Sequence, residues 1–313
     1  MRQAIVDLLA AGRIANLPTV WSNVLTGAVI ALSVSGGSLE GSAGRLFIAL
    51  LAGSLLYTAG CLYNDFYDRH WDAQHKPDRA IPSGRLSVVL MAQLIMGLGL
   101  GGFVLSLLLG AAATAVSLLI ALFIFIYTRT HKQTPLAIIP MGVCRAGLYL
   151  LGLSVVRDVP TLSEYNMIYL GELFRSGALT PYLLPAVGLM SYIAGITLVA
   201  RSEATNTLPA GAKWLGLILL VSPYLTHGVA QCSLGSVGFV FIAGAVGTMF
   251  WMKNQVEQSV GCFVSQCLAG ICCVDVLFWL SAGAVVLGLP VSLAIFIVFF
   301  GLALLLQRVA PAT

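Results

Sequence analysis

Apolar residues run through this chain in long blocks, and short polar stretches separate them. A helix rises 1.5 Å per residue, so about 20 apolar residues cross a hydrocarbon core of about 30 Å. The blocks predict ten spans: Ile14–Val34, Leu46–Tyr63, Leu86–Leu109, Ala111–Tyr127, Leu136–Val155, Tyr182–Ala200, Trp214–Ala230, Val237–Met252, Val260–Ala282 and Val291–Leu306. Only a turn at Gly110 and Ala111 separates the third from the fourth. The opening stretch through Arg13 is too polar to cross. It has no small-residue cleavage site after a short apolar core, so it reads as an interfacial helix with Arg2, Asp7 and Arg13 at the headgroups. The run GLGLGG before Phe103 lies inside a span and reads as close helix packing, not as a phosphate-cradling loop.

Composition narrows the class. Charged residues make up 9% of the 313 positions and hydrophobic residues 59%, whereas a soluble domain carries about 25% charged residues. A soluble globular protein is excluded, and so is a disordered chain, which needs low hydrophobicity. Unbroken apolar runs exclude a transmembrane β-barrel, which needs period-2 alternation. What remains is an all-α, polytopic transmembrane helical bundle forming a single domain over 1–313. Seven cysteines, an odd number without a CxxC pair, read as small buried hydrophobes, not as a disulfide framework or zinc site.

Charge then orients the bundle. With the N-terminus in the cytoplasm, cytoplasmic segments carry twelve basic residues (Arg2, Arg13, Arg69, Lys76, Arg79, Arg85, Arg129, Lys132, Arg201, Lys213, Lys253 and Arg308) against three opposite, Arg45, Arg157 and Arg175. The expectation is an integral multi-pass protein with its N-terminus and active-site loops cytoplasmic. Two connections are long: a polar stretch at 64–85 on the cytoplasmic side, and 157–181 on the far side. Loops of that length in a compact protein are usually functional or disordered.

Candidate chemistry collects after the second span, which ends GCLYNDFYDRHWD. At 100° per residue Asp68 lies about 60° from Asp65 on a helix and Asp72 about 20° from it, so the three carboxylates share one face. Like charges so placed repel unless a cation fills the cluster. Hard oxygen ligands suit Mg²⁺, which takes one or two carboxylates and completes its shell with water and substrate phosphate. The alternative is a solvated helix end with ordinary acids. Next comes HKPDRAIPSGRLS, where Lys76, Arg79 and Arg85 stand close behind the acids and Pro77, Pro82 and Gly84 keep the segment out of a helix. Acids and bases so close together suit a diphosphate, with metal on one side and guanidinium on the other. Two ionisable residues, Arg145 and Asp275, fall inside spans. They either pair across the bundle, or Arg145 faces a cavity and touches substrate. His70, His75, His131 and His227 give no metal-ligand spacing.

NDFYDRHWD followed by KPDRAIPSGRLS resembles the first aspartate-rich motif of the UbiA superfamily of intramembrane prenyltransferases, NDxxDxxxD and a proline-rich basic stretch; Asn64, Asp65, Asp68 and Asp72 all match. RIANLP, with Arg13, Asn16 and Pro18, looks like that family's first-helix sequence, and the spans agree in number and spacing through about residue 282. The resemblance implies a bundle of about nine helices around a cavity open to the bilayer, here with an extra C-terminal helix. It implies Mg²⁺-dependent transfer of a prenyl group from a polyprenyl diphosphate to a small-molecule acceptor, with no role for nucleic acid. Asp65, Asp68 and Asp72 would hold the metal as the catalytic set, supported by Asn64 and Asn16. Arg79, Tyr127 and Lys132 would bind substrate; Arg145, Arg201 and Glu203 are further substrate-binding candidates that the family pattern does not supply.

The sequence departs from the family pattern twice. In YTRTHKQT, Tyr127 and Thr134 match the ends of a Y-P-x-x-K-R-x-T-like segment, but His131 falls where lysine is expected and Lys132 where arginine is. After the sixth span, VARSEATNTLPAG keeps Thr207, Leu208 and Pro209 of a second aspartate motif but only Glu203 of its acids, with Arg201 nearby. Arg201 either replaces a second cation or is a positive-inside residue. This deviant motif resembles the EboC-like branch. It motivates an alternative, a non-catalytic prenyl-lipid binder, carrier or membrane component of a biosynthetic or export assembly.

Overall fold

In hydrocarbon each backbone N–H and C=O has to be bonded within its own segment, so apolar blocks become helices. The computed structural model describes residues 2–35, 39–156, 180–201, 210–230 and 260–308. The described residues form α1 (Arg2–Ala11), α2 (Leu17–Ser35), α3 (Ala43–His75), α4 (Val88–Leu109), α5 (Ala111–Thr130), α6 (Ile138–Leu153), α7 (Thr180–Ala200), α8 (Ala210–Ala230), α9 (Val260–Ala269), α10 (Ile271–Val286) and α11 (Leu289–Gln307), with no strand among them. Eight helices among these residues, α9 and α10 taken together, are long and apolar enough to cross a membrane. The chain is an integral, multi-pass, all-α membrane protein.

Among the described residues the predicted spans reappear, two of them altered. The split at Gly110 holds, because its φ of 112° ends α4 and opens α5 in a conformation that disfavours side chains. The predicted seventh span lies in α8, where the apolar helical stretch Trp214–Tyr224 is shorter than the other eight. The predicted ninth span breaks at Gly270 into α9 and α10, and the Tyr192 hydroxyl donates to the Cys267 carbonyl there (2.9 Å). The span Val237–Met252 and the connection 157–181 lie outside the described residues.

Helix α2 is the hub. Its membrane window is 83% buried, against 11% for those of α4 and α11, which face lipid. It packs on α6, α10, α3 and α11. A helix that faces protein can carry polar groups if they are bonded, and α2 buries Thr19, Ser22, Asn23 and Thr26. One apolar core joins α6 to α7, α8, α9 and α10, and another joins α2, α3, α5 and α6. The α2–α6 crossing is tight. A Cβ on Gly27 would lie 2.1 Å from the Tyr149 carbonyl oxygen, and one on Gly152 2.0 Å from that of Val24. In the GLGLGG run, by contrast, only Gly102 approaches neighbouring backbone, and less closely: a Cβ there would lie 3.1 Å from the Ala52 carbonyl oxygen, while Gly97 meets open space.

The polar stretch expected at 64–85 divides. Helix α3 runs on to His75, and its 33 residues span about 50 Å, well beyond the bilayer core. It therefore carries Asn64 to Asp72 to the rim of the bundle, and the non-helical part begins at Lys76. Gly84, at φ 76°, turns this segment back toward α4, whose first turn Ser87 caps by accepting from the Leu90 N–H (3.4 Å). Leu86, Ile81 and Ala80 pack with Leu62, Ala11 and Leu8, which fastens the segment beneath α1.

Arg85 fastens it further, donating from Nε to Asp7 Oδ2 (2.7 Å) and from Nη2 to the Asp78 carbonyl (2.8 Å). Its hydrogen bond holds the Asp7 carboxyl below the usual range. A carboxyl depressed on folding stabilises the fold above its unfolded value, about 3.9, and that contribution is lost as pH falls through the lower folded value. Asp7→Asn should therefore mimic acid. At pH 7 the variant is expected to show faster amide exchange in α1 and in 76–87, and the difference from the parent should shrink as the pH is lowered through the acid range. A difference that does not change with pH would place the effect elsewhere.

Candidate active site

The rim of α3 faces three cationic elements. Lys132 Nζ lies 2.8 Å from Asp68 Oδ1, and His131 Nε2 lies 3.1 Å from Asp68 Oδ2. Arg79 Nη1 donates to Asp72 Oδ2 (2.9 Å) and sits 3.5 Å from Asp65 Oδ1. Arg13 Nη2 is 3.8 Å from the same Asp65 oxygen. The three carboxylates share one helix face as expected, but they divide between two cationic groups. Among the described residues no three His, Cys, Asp or Glu side chains are arranged to hold a metal ion.

Mg²⁺ needs only one or two protein carboxylates when water and phosphate complete its shell. The donor set fits that need. Asn64 Oδ1 is buried and accepts no hydrogen bond, and buried Asp65 Oδ1 has only the two longer ion pairs to Arg79 and Arg13. Such oxygens cost free energy in a folded protein unless a partner arrives.

A cavity of about 280 Å³ begins at this rim. Arg13, Lys76, Arg79, Asn64 and Tyr127 line it with cations and polar groups. Ile120, Ile124, Leu148, Ile193, Ile196 and Leu268 line it with apolar surface. Thr128, whose buried hydroxyl has no hydrogen-bond partner, also lines it. A second cavity of about 170 Å³ touches Asp65, Asp72 and Asp7, and Arg13 and Arg79 line both.

The remaining candidates fall on both sides of the expectation. Asn16 and Arg145 line the main cavity; Asn16 Nδ2 donates to the Tyr57 hydroxyl (3.0 Å). Tyr127 stacks on His131 at 5.0 Å between centroids, and both Tyr127 and Thr128 carbonyls face His131 Nδ1. Lys132 lies 4.0 Å above the Trp71 ring, which restricts its reach. Arg201 points elsewhere: its Nη1 donates to the His131 (2.6 Å) and Thr134 (2.8 Å) carbonyls. It fixes the turn that presents His131 and Lys132. Arg129 stacks over Phe125, and Arg85 is committed to Asp7. Glu203 lies outside the described residues.

Arg145 and Asp275 do not pair directly. Arg145 Nη1 donates to Thr19 Oγ1 and Asn23 Oδ1 (both 3.1 Å), while Asn23 Nδ2 donates to the Asp275 carboxylate (3.0 and 3.1 Å). Ser22 and Tyr149 donate their hydroxyls to Asp275 as well.

Sequence reasoning placed Arg13 at the headgroups, and the structure corrects this. Arg13 is the one non-glycine among the described residues with positive φ (47°, ψ 46°). That left-handed step ends α1 and turns the side chain into the site. An L-residue pays about 1–2 kcal/mol there, and glycine does not. Arg13→Gly should thus leave thermal stability unchanged or raised, while raising the KM for a prenyl diphosphate about tenfold through loss of a charged hydrogen-bond donor. A lowered melting point with unchanged KM would make Arg13 purely structural.

Comparison with known proteins agrees with this architecture. The model of the UbiA prenyltransferase family matches residues 20–258. A digeranylgeranylglyceryl phosphate synthase of Korarchaeum cryptofilum is 33% identical over 141 residues, 45% of this chain and 48% of that protein. The match thus spans about half of that relative. A 4-hydroxybenzoate octaprenyltransferase of Sodalis glossinidius is 25% identical over 264 residues, 79% of this chain and 81% of that protein. Among solved structures, a digeranylgeranylglyceryl phosphate synthase superposes with a TM-score of 0.60 at 16% identity, covering 90% of this chain and 99% of that one. A UbiA homologue of Archaeoglobus fulgidus bound to DMAPP and Mg²⁺ superposes at 0.51 with 13% identity, covering 86% and 99%. With the match over 20–258, the chain belongs to the UbiA prenyltransferase family.

Proposed function

We propose that this protein transfers a prenyl group from a polyprenyl diphosphate to a small-molecule acceptor within the membrane, with Mg²⁺ as cofactor. The observation that carries the reading is one cavity that joins a cationic mouth at Arg13, Lys76 and Arg79 to an apolar interior. That polarity gradient matches an amphiphile with a diphosphate head and a hydrocarbon tail. The name of the Sodalis relative and the DMAPP and Mg²⁺ in the Archaeoglobus structure support it.

In this reading one or two of Asp65, Asp68 and Asp72, with Asn64, would hold the metal, which would supply positive charge to the diphosphate. Arg79 and Arg13 turn from the carboxylates to the diphosphate oxygens, and Lys132 adds a third cation. Arg201 acts by positioning the 131–134 turn, not by contact. The allylic C1–O bond breaks with its electron pair leaving on the diphosphate. The acceptor nucleophile then bonds to C1 and releases its proton. Apolar walls keep water from the allylic cation and strengthen the charges that drive ionisation. The active-site rim faces the cytoplasm, as the basic bias suggests.

The test is incubation of purified protein in nanodiscs with labelled geranylgeranyl diphosphate, Mg²⁺ and a cell extract. Labelled product with stoichiometric diphosphate release, both abolished by EDTA, is the expected result. Saturable binding with neither would leave a prenyl-lipid carrier, the reading favoured by the scarcity of acids in the second motif.

A further inference from the structure

Seven serine and threonine side chains are buried among the described residues, and six of them are hydrogen-bonded. The exception is Thr128 of α5, 1% exposed, whose hydroxyl meets no partner. A helical threonine has an easy remedy, because its hydroxyl can turn to the carbonyl four residues back. Thr130 does so, donating to the Ile126 carbonyl at 2.7 Å. Thr128 does not, and a buried hydroxyl left unbonded costs stability until something else supplies a partner. Thr128 lines the main cavity, so a ligand there can supply one. The hydroxyl is also this chain's own, since threonine stands where the Y-P-x-x-K-R-x-T pattern has proline.

Helix register fixes which part of a ligand lies beside it. Helices α3 and α5 run side by side in the same direction: a Cβ on Gly60 would lie 2.8 Å from Ile124 Cδ1, and Asp68 holds His131 and Lys132. Thr128, four residues after Ile124, is therefore level with Asn64, four residues after Gly60 and one turn (about 5 Å) deeper than Asp68. Beyond this level Ile124 and Ile120 begin the apolar wall, and on the other side stand the carboxylates and cations of the rim. Thr128 marks the boundary between the two. A prenyl diphosphate passes from charge to hydrocarbon at one atom, the ester oxygen that joins phosphorus to C1.

We propose that Thr128 is a catalytic hydrogen-bond donor to that ester oxygen. The inference rests on the prenyl-transfer reading and adds to it a group that acts on the breaking bond. As the C1–O bond breaks, its electron pair stays on the ester oxygen, which becomes a terminal oxygen of the released diphosphate. Thr128 keeps its proton on Oγ1 throughout. Its hydrogen bond strengthens as charge collects on the oxygen, and the low-dielectric wall strengthens it further. C1 then bonds to the acceptor nucleophile, which releases its proton.

Thr128→Val removes the hydroxyl and keeps the shape, and it should move two properties of the purified protein in nanodiscs in opposite directions. The ligand-free melting point should rise by about 2–4 °C, because an unbonded buried hydroxyl is gone. Diphosphate release from saturating geranylgeranyl diphosphate, with Mg²⁺ and a cell extract to supply acceptor, should slow about 30-fold. Thr128→Ser should restore most of that rate. Equilibrium binding identifies the atom. 2,3-Dihydrogeranylgeranyl diphosphate is not allylic and does not ionise, and its S-thiolo counterpart carries sulfur, a weak acceptor, at the bridging position. The parent should bind the oxygen form about fivefold more tightly, and Thr128→Val should bind the two alike. No preference for oxygen in the parent, or a rate within about threefold of the parent's, overturns the proposal and leaves prenyl transfer standing. A preference that survives in Thr128→Val overturns it even if the rate falls, since the hydroxyl then serves another group. A lowered melting point would mean that the hydroxyl is bonded within the protein, and also overturns it. A parent that binds neither diphosphate removes the prenyl-transfer reading and the proposal with it. Should Thr128→Val not fold, the same ratio in Thr128→Ala decides.

Discussion

Asp68→Ala is expected to lower Mg²⁺-dependent prenyl transfer by about 10²–10³-fold, the size of effect seen when one preorganised charged group is lost from an active site. Asp68 is the carboxylate that ties α3 to the turn after α5, holding Lys132 on one oxygen and His131 on the other. Alanine removes a metal oxygen and also frees Lys132 to settle on Trp71. Asp68→Asn separates the two effects. It can still accept from Lys132, so the turn stays placed, but its amide binds Mg²⁺ poorly. If metal binding dominates, the asparagine variant is as inactive as alanine and extra Mg²⁺ partly rescues it. If placement of Lys132 dominates, asparagine recovers most of the rate. Full activity in the alanine variant would remove Asp68 from the site. Both variants sit at the rim, outside the apolar cores, so melting points should stay close to that of the parent.

The apolar blocks made most of the fold legible because lipid-facing helices such as α4 and α11 have to be apolar nearly throughout. The extension of α3 beyond Tyr63 was harder, since hydropathy marks where a helix leaves the membrane and not where it ends. The acid spacing at 65, 68 and 72 was already helical, and it was the better guide. At the site, Asp68 and Lys132 could be inferred from motif resemblance. Arg13 stood in the RIANLP resemblance, but its role there depends on a left-handed backbone step, and basic residues before a span ordinarily mean headgroup contact. Gly12, just past the end of α1, was the available hint. Arg201 gave only its charge; its partners, the carbonyls of His131 and Thr134, are 70 and 67 residues away. The network under Arg145 had a signal that went unread. Thr19, Ser22, Asn23 and Thr26 recur at the spacing of one helix face, which marks α2 as buried against protein.

That network depends on how closely α2 and α6 approach, so Gly152→Ala should reduce activity although residue 152 is absent from the main cavity's lining. A methyl at Gly152 would fall 2.0 Å from the Val24 carbonyl oxygen and 2.9 Å from the Ala28 nitrogen, and backbone cannot rotate aside as a side chain can. The helices have to separate, at a cost of about 3 kcal/mol, the upper part of the overpacking range. Alanine's better helix propensity returns about 1 kcal/mol. Separation also draws Thr19 and Asn23 on α2 away from Arg145 on α6, and Ser22 and Asn23 away from the Tyr149 side of Asp275. The expected result is a lower melting point in mild detergent together with weaker substrate binding. Gly27→Ala, aimed at the Tyr149 carbonyl from the other helix, should do the same. The double variant decides the cause. Both methyl groups force one crossing apart, and once either has done so the second meets less resistance. The double variant should therefore lose clearly less stability than the two single losses added together. Strict additivity would mean that each glycine relaxes locally, leaving Arg145 where it is and substrate binding intact.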